Sequence, residues 1–267
     1  RELKASIGRI KSIPEENIFL GNGSDEIIDL CFRIFCNPGI DRALTFSPTY
    51  GMYEVSAAIN DVELVKIPLS DVFDIEKGSL LPWLGDPRLK LIFICSPNNP
   101  TGNSMDHETI NDIISGFKGI VVVDEAYIDF SEKQSFKTMI ARHQNLIVMQ
   151  TFSKAMGLAA ARIGMAFMDP LAVRFFNKMK PPYNISTLNQ KAALRSLARI
   201  ERSKEMIRRI RSERNRIEAA LRKISTIERI FPSDANFLLV KTKNANLIYT
   251  ALLKNKIIVR NRDKLIP

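Results

Sequence analysis

Lys154 comes three residues after an apolar run, Leu146 to Thr151, and Arg162 stands eight positions further on. Between them lie Ala155, Gly157, Ala159, Ala160 and Ala161, residues small enough to permit close backbone approach. A loop lysine alone is normally a solvated charge. At the end of a buried run it is instead placed to act as an amine nucleophile. Ser153 and Arg162 beside it are suited to an anionic oxygen group, the arginine through its bidentate fork. A second apolar run, Gly119 to Asp124, ends on a carboxylate and continues Glu125, Ala126, Tyr127. Alone, such an aspartate caps a helix or binds magnesium as readily as it meets a cationic ring nitrogen.

Three further segments carry polar groups at the ends of such runs. Ser96 to Gly102 holds two prolines that fix a turn able to aim the Asn99 amide. Ser47 to Gly51 presents Tyr50, a ring that stacks or packs. Gly21 to Asp25 opens a helix with a flexible turn, so Gly23, Ser24 and Asp25 offer free amides to an anion. Lysine, carboxylate, ring donors and phosphate cradle are together what a sheet enzyme using pyridoxal 5'-phosphate (PLP) must supply. In that reading Lys154 forms a Schiff base with the aldehyde and then carries the substrate's α-proton, while Asp124 keeps the pyridine nitrogen protonated. Asn99 and Tyr127 donate to the ring hydroxyl, Tyr50 covers the ring face, and Ser153, Arg162 and the Gly23–Asp25 amides take the phosphate.

These residues need a frame that gathers strand ends. Short apolar, β-branched runs recur at Leu44 to Phe46, Leu64 to Ile67, Leu89 to Cys95, Gly119 to Asp124, Leu146 to Thr151 and Ile163 to Phe167. Helical patterns separate several of them, as at Ser24 to Phe35 and His107 to Phe117. The alternation predicts an α/β fold with a large, mostly parallel sheet sandwiched by helices, whose ligands bind beyond the carboxyl ends of the strands. The expected organisation is a large α/β domain over residues 1–185, a long linking helix over 186–224 and a small α+β lobe over 225–267. In that lobe Ala235 to Val240 and Ile257 to Val259 read as strands and Ala245 to Leu253 as a helix. The chain opens within a helical pattern and stops at Pro267 before the small lobe has the elements to close a core, which reads as a fragment.

Composition narrows the field. With 267 residues, 45% of them hydrophobic, the chain has material for one large core and a smaller one. No run of about 18 apolar residues and no leader pattern is visible, so the expectation is a soluble cytoplasmic protein without membrane partners. Cys31, Cys36 and Cys95 lack metal-ligand spacing and read as buried structural thiols, with no metal site. The net charge of +10 is compatible with nucleic acid or anionic small molecules. Much of the excess lies in Arg199 to Arg222, interleaved with Glu201, Glu205, Glu213 and Glu218 at helical spacing, which describes a solvated helix face. No aromatic-interleaved basic stripe accompanies it, so no nucleic-acid partner is expected.

The ordered motifs GNGSDE, SPTYGMY, SPNNPTG, VVVDEAYIDF and TFSKAMGLAAARIG resemble those of the fold-type I PLP-dependent aminotransferases, and within them the histidinol-phosphate aminotransferase family. The resemblance spans about residues 1 to 262. It implies the site roles given above, and adds Arg260, in Ile257-Ile258-Val259-Arg260, as the arginine meeting the substrate's phosphate end, with Asn99 also facing substrate. It further implies transamination between L-histidinol phosphate and glutamate or 2-oxoglutarate in histidine biosynthesis, by two half-reactions through pyridoxamine phosphate, in a homodimer. The family's N-terminal tyrosine segment, which reaches the neighbouring subunit's site, and its C-terminal carboxylate-binding arginine have no counterpart in this sequence. Other readings stay open: another aminotransferase or a threonine-phosphate decarboxylase of the same subfamily, or a PLP-binding regulatory domain without catalysis.

Overall fold

In the computed structural model, which describes residues 2–263, the chain runs α1 (Glu2–Lys11), β1 (Ile18–Asn22), α2 (Gly23–Phe35), β2 (Arg42–Ser47), α3 (Met52–Ile59) and β3 (Glu63–Pro68). It continues with a one-turn α4 (Leu81–Leu84), β4 (Leu89–Cys95), α5 (His107–Gly116), β5 (Ile120–Asp124), β6 (Leu146–Thr151), β7 (Ile163–Phe167) and α6 (Pro170–Met179). Then come α7 (Thr187–Leu197), α8 (Ile200–Leu221), β8 (Ile227–Ile230), β9 (Val240–Thr242) and α9 (Ala245–Lys254). Among the described residues no helix is long and apolar enough to cross a membrane.

Strands β1 to β7 form one sheet in the order β1-β7-β6-β5-β4-β2-β3, and β8 pairs with β9 in a second. From β6 through β5, β4 and β2 to β3 every pairing is parallel, while β7 runs antiparallel to both β6 and β1. The α/β architecture expected from the alternating runs is therefore present. The central strands bury both faces, and this is why they read in sequence as unbroken apolar runs. Val121, Val123 and Val148 face one core layer with Leu3 and Ile7 of α1 and Ile110 and Ile114 of α5. Val122, Ile147 and Met149 face the other, with Ile27, Ile28 and Cys31 of α2 and Tyr53 of α3. Each such Leu, Ile or Val contributes roughly 1.5–3 kcal/mol by leaving water.

Caps set where the helices start. The Asp106 carboxylate accepts from the Thr109 amide at 2.8 Å ahead of α5, and Asp169 accepts from the Leu171 amide at 2.7 Å ahead of α6, whose first residue is proline. The cysteines are all buried and free. Burial pushes their thiols up, that of Cys36 to about 12.

The chain beyond residue 186 departs from the sequence reading in three places. The single helix expected over 186–224 is two, broken at Ala198 and Arg199, whose φ of −115° and ψ of 34° are not helical. The break lets the apolar face turn: Ala193 and Leu197 of α7 are buried in the main core, whereas α8 buries no residue fully and packs Ile207 and Ile210 onto a small cluster with Tyr127 and Phe130. The strand expected over Ala235–Val240 starts only at Val240. Before it, Ser233 Oγ donates to the Phe237 carbonyl at 2.6 Å and accepts from the Ala235 amide at 3.1 Å, so side-chain bonds replace a ladder. Ile257 to Val259 is exposed and forms no strand, because apolar composition without a partner strand does not make one.

Candidate active site

Parallel register brings the site together. Cys95 lies opposite Asp124, and Asp124 opposite Met149, so β4, β5 and β6 end at one edge of the sheet. Since β7 is antiparallel, it begins at that edge, directly after Arg162, and β1 ends there, handing over to α2. Ser24, Asp25, Tyr50, Asn99, Asp124, Tyr127, Ser153, Lys154 and Arg162 all line one cleft along this edge, with Cys95, Ala126, Thr151 and Ala159. Gly23 lies just behind Ser24. Arg260 is exposed and is not part of the lining among the described residues; its charge, with that of Arg262, opposes the rise that burial gives the Tyr127 phenol.

Asp124 is 2% exposed. Its Oδ2 accepts from the Tyr53 hydroxyl at 2.8 Å and its Oδ1 from the Ala126 amide at 3.0 Å. Burial raises its pKa to about 6; the two donors and the Lys154 charge act against that, and Asp25 adds to it. A carboxylate with this much desolvation and no ion pair fits a cationic ring nitrogen entering the cleft. Tyr53 was not marked by the sequence reading, although it lies one helical turn past Tyr50 in the same motif. It is fully buried and stacks on Phe93 with ring centroids 4.9 Å apart.

Lys154 is open to the cleft, its Nζ 5.1 Å from the centroid of the Tyr127 ring. Tyr127 meets Phe237 edge-on at 5.2 Å, and burial, with the Asp124 charge, holds its phenol well above the usual value. The Ser96–Gly102 turn is fixed by the other asparagine. Asn98 is wholly buried, donating to the Pro48 carbonyl at 2.9 Å and to Thr101 Oγ1 at 2.8 Å and accepting from Thr49 Oγ1 at 2.8 Å, which leaves Asn99 for the cleft.

The phosphate-sized end is built by close backbone approach. The Asn22 side chain makes no cap bond and Glu26 Oε2 accepts only from the Asn22 amide, at 2.6 Å, so the first amides of α2 itself are open. Arg162, in the left-handed region at φ 47°, bonds the Ala159 carbonyl at 3.3 Å and Asp25 Oδ2 at 3.1 Å, while Tyr50 donates to Asp25 Oδ1 at 3.0 Å. Gly23, at φ 79°, is in a conformation that side-chain-bearing residues rarely adopt, and a Cβ there would stand 2.6 Å from Arg162 Nη2 and displace the guanidinium. At Gly164 a Cβ would stand 2.5 Å from the Gly23 carbonyl and 2.7 Å from the Ser24 amide nitrogen. Helix amides, guanidinium and the Ser153 hydroxyl thus converge where a phosphate fits.

Sheet, cleft and donor set together define a PLP-dependent transferase, and the chain belongs to the aminotransferase class I and II family, whose model matches residues 2–264. Within that class it is a member of the histidinol-phosphate aminotransferases. It is 45% identical over 266 residues to the histidinol-phosphate aminotransferase of Cytophaga hutchinsonii, covering 100% of this chain and 76% of that protein. Its structure is similar to that of the histidinol-phosphate aminotransferase from Clostridium acetobutylicum (TM-score 0.91, 27% identity, 100% of this chain and 80% of the other). It is also similar to the Sinorhizobium meliloti enzyme in complex with pyridoxal 5'-phosphate (TM-score 0.88, 26% identity, 97% and 72%).

Proposed function

We propose that this protein transfers an amino group between L-histidinol phosphate and 2-oxoglutarate in histidine biosynthesis, with PLP held in the cleft at the sheet edge. The observation that carries the reading is the convergence of Asp124, Lys154 and the uncapped α2 terminus with Arg162 on one cleft. When bound, PLP supplies an aldehyde for amine exchange and a ring that accepts electrons from the substrate α-carbon.

The chain's own residues do the rest. Ser24 and Asp25 amides, Ser153 Oγ and the Arg162 guanidinium bind the cofactor phosphate. Asp124 faces the pyridine nitrogen and keeps its proton in place. Asn99 and Tyr127 hold the ring hydroxyl, and Tyr50 closes over the ring. Lys154 Nζ would hold the cofactor through its aldehyde and, as a free amine, would carry the proton to and from the substrate α-carbon. Arg260 meets the phosphate of the substrate. The division into a large domain over 1–185, linking helices over 186–224 and a small lobe beyond is part of this reading, as are a homodimer in the cytoplasm and the absence of nucleic-acid or membrane partners.

A single turnover tests the whole. PLP-loaded protein mixed with L-histidinol phosphate should show the cofactor absorbance change of one amino transfer, and Lys154→Ala should lose the borohydride-reducible link to PLP. An unchanged spectrum with histidinol phosphate but a response to another amino donor would move the substrate assignment.

A further inference from the structure

The residue after Asp124 is also a carboxylate, and the roles above make no use of it. Glu125 is 1% exposed, and strand alternation turns it to the sheet face opposite Asp124. Its Oε1 accepts from the Phe136 amide at 2.7 Å, and its Oε2 accepts from the Ser135 hydroxyl at 2.5 Å and from Gln150 Nε2 at 2.8 Å. The charged neighbours are engaged with one another: Lys11 Nζ pairs with Asp129 at 3.0 Å, and Lys137 Nζ donates to the Lys11 carbonyl at 2.8 Å. His107 stacks on Phe136, the ring centroids 4.0 Å apart. A carboxylate buried without a directly paired cation costs stability, and an apolar residue of similar size would avoid that loss. What Glu125 supplies is geometry.

We propose that Glu125 is a positioning residue for the transamination: it ties the end of β5, the end of β6 and the returning segment 131–136 into one unit, fixing Asp124 and Tyr127 relative to Lys154. The tie stands at the right place. Asp124 precedes Glu125 directly and Tyr127 follows it by two residues, while Gln150 lies four residues before Lys154. The Glu125 amide also donates to the Met149 carbonyl at 2.8 Å, so main chain and side chain both hold β5 to β6 at this level. Ser135 in turn caps the short helix Phe136–Met139, so the carboxylate organises the segment's return as well. A glutamine at 125 keeps an acceptor for Phe136 and, once the Gln150 amide turns over, its Nε2 donates to Gln150 Oε1, a buried oxygen that has no partner among the described residues.

The inference rests on the function proposed above, and its test separates the two. PLP-loaded wild type, Glu125→Ala and Glu125→Gln are compared in kcat, in KM for histidinol phosphate and in the pH midpoint of the bound cofactor's absorbance. Glu125→Ala should lower kcat about tenfold or more, leave KM within about threefold and move the midpoint by about half a unit or more, as misplacement of reacting groups does. Glu125→Gln should restore most of kcat and the wild-type midpoint. A Glu125→Ala protein with a lowered melting temperature but wild-type kcat and midpoint overturns the proposal. Should that variant not fold, Gln150→Ala takes its place, with the same expected direction and the same overturning result. A wild type that carries no Lys154-linked PLP overturns the functional reading instead.

Discussion

A buried carboxylate beside a buried phenol shares its proton according to what else enters the cleft. Tyr53 donates to Asp124 Oδ2 at 2.8 Å and stabilises the charged form that a pyridinium needs. Tyr53→Phe removes one hydrogen bond to a charged group, worth about 1.5–3 kcal/mol, so PLP binding at neutral pH should weaken by about tenfold or more, read by cofactor titration. Unchanged affinity would mean that the Ala126 amide suffices. Titration of the cofactor-free protein offers a second check. Folding raises Asp124 to about 6 from 3.8 and Glu125 to about 7 from 4.5, burial being the first cause in both. Raised acids favour the folded state when protonated, so this stabilisation is present below about pH 4 and is lost as pH climbs through 6 and 7. It amounts to on the order of 3 kcal/mol for each group. The melting temperature of PLP-free protein should fall between about pH 4 and pH 7, and Asp124→Asn or Glu125→Gln should flatten the slope. A slope that both variants retain would locate the titration elsewhere. Lys154, Asp124 and Asn99 were legible in the sequence because each ends or closely follows a strand run; Tyr53 was not, because its role depends on α3 bringing its hydroxyl to the end of β5, which no local pattern reports.

Elements place these groups only if they can approach. Strand β7 and the first turn of α2 are in backbone contact at Gly164 and Gly23, where a Cβ on Gly164 would stand 2.5 Å from backbone atoms. Gly164→Ala must push the α2 amides away from Arg162 and Ser153, so a melting-temperature loss matching about 1–3 kcal/mol should accompany weaker PLP binding. Gly116→Ala, where nothing lies within 4 Å, serves as the control and should leave both unchanged. Equal behaviour of the two variants would remove the close approach as a requirement. The sequence announced β2 and β4 to β7 because strands buried on both faces are written as apolar runs, and the edge strand β3 through its Leu64 to Ile67 run. It was silent on β1, where only Ile18, Phe19 and Leu20 precede Gly21 and Asn22. A short strand that ends in a glycine turn carries too little pattern to be read. The break between α7 and α8 was equally hidden, since both helices keep their own period and only packing distinguishes their faces.

At the scale of the whole molecule, the positive charge is spent unevenly. Along α8 basic residues outnumber acidic ones and part of the charge is paired, Arg209 with Glu205 at 2.5 Å, Arg216 with Glu213 at 2.7 Å and Arg222 at its end with Glu218 at 2.5 Å, surface pairs that contribute little to stability. Asn261 and Asp263 are tied to Asn246 of α9, at 2.7 and 2.8 Å, and alternate along the chain with Arg260 and Arg262, the two cations acting on Tyr127. Anionic substrates are drawn to such a pair of cations. In the proposed function histidinol phosphate carries a phosphate and glutamate a second carboxylate, so a cation serving the phosphate end should discriminate between them. Arg260→Ala should raise KM for histidinol phosphate about tenfold or more and KM for glutamate by less than about threefold, with kcat little changed, as loss of uniform binding energy requires. Equal rises for both substrates would make Arg260 a general anion attractor, and a fall in kcat with KM unchanged would place it in the chemistry itself.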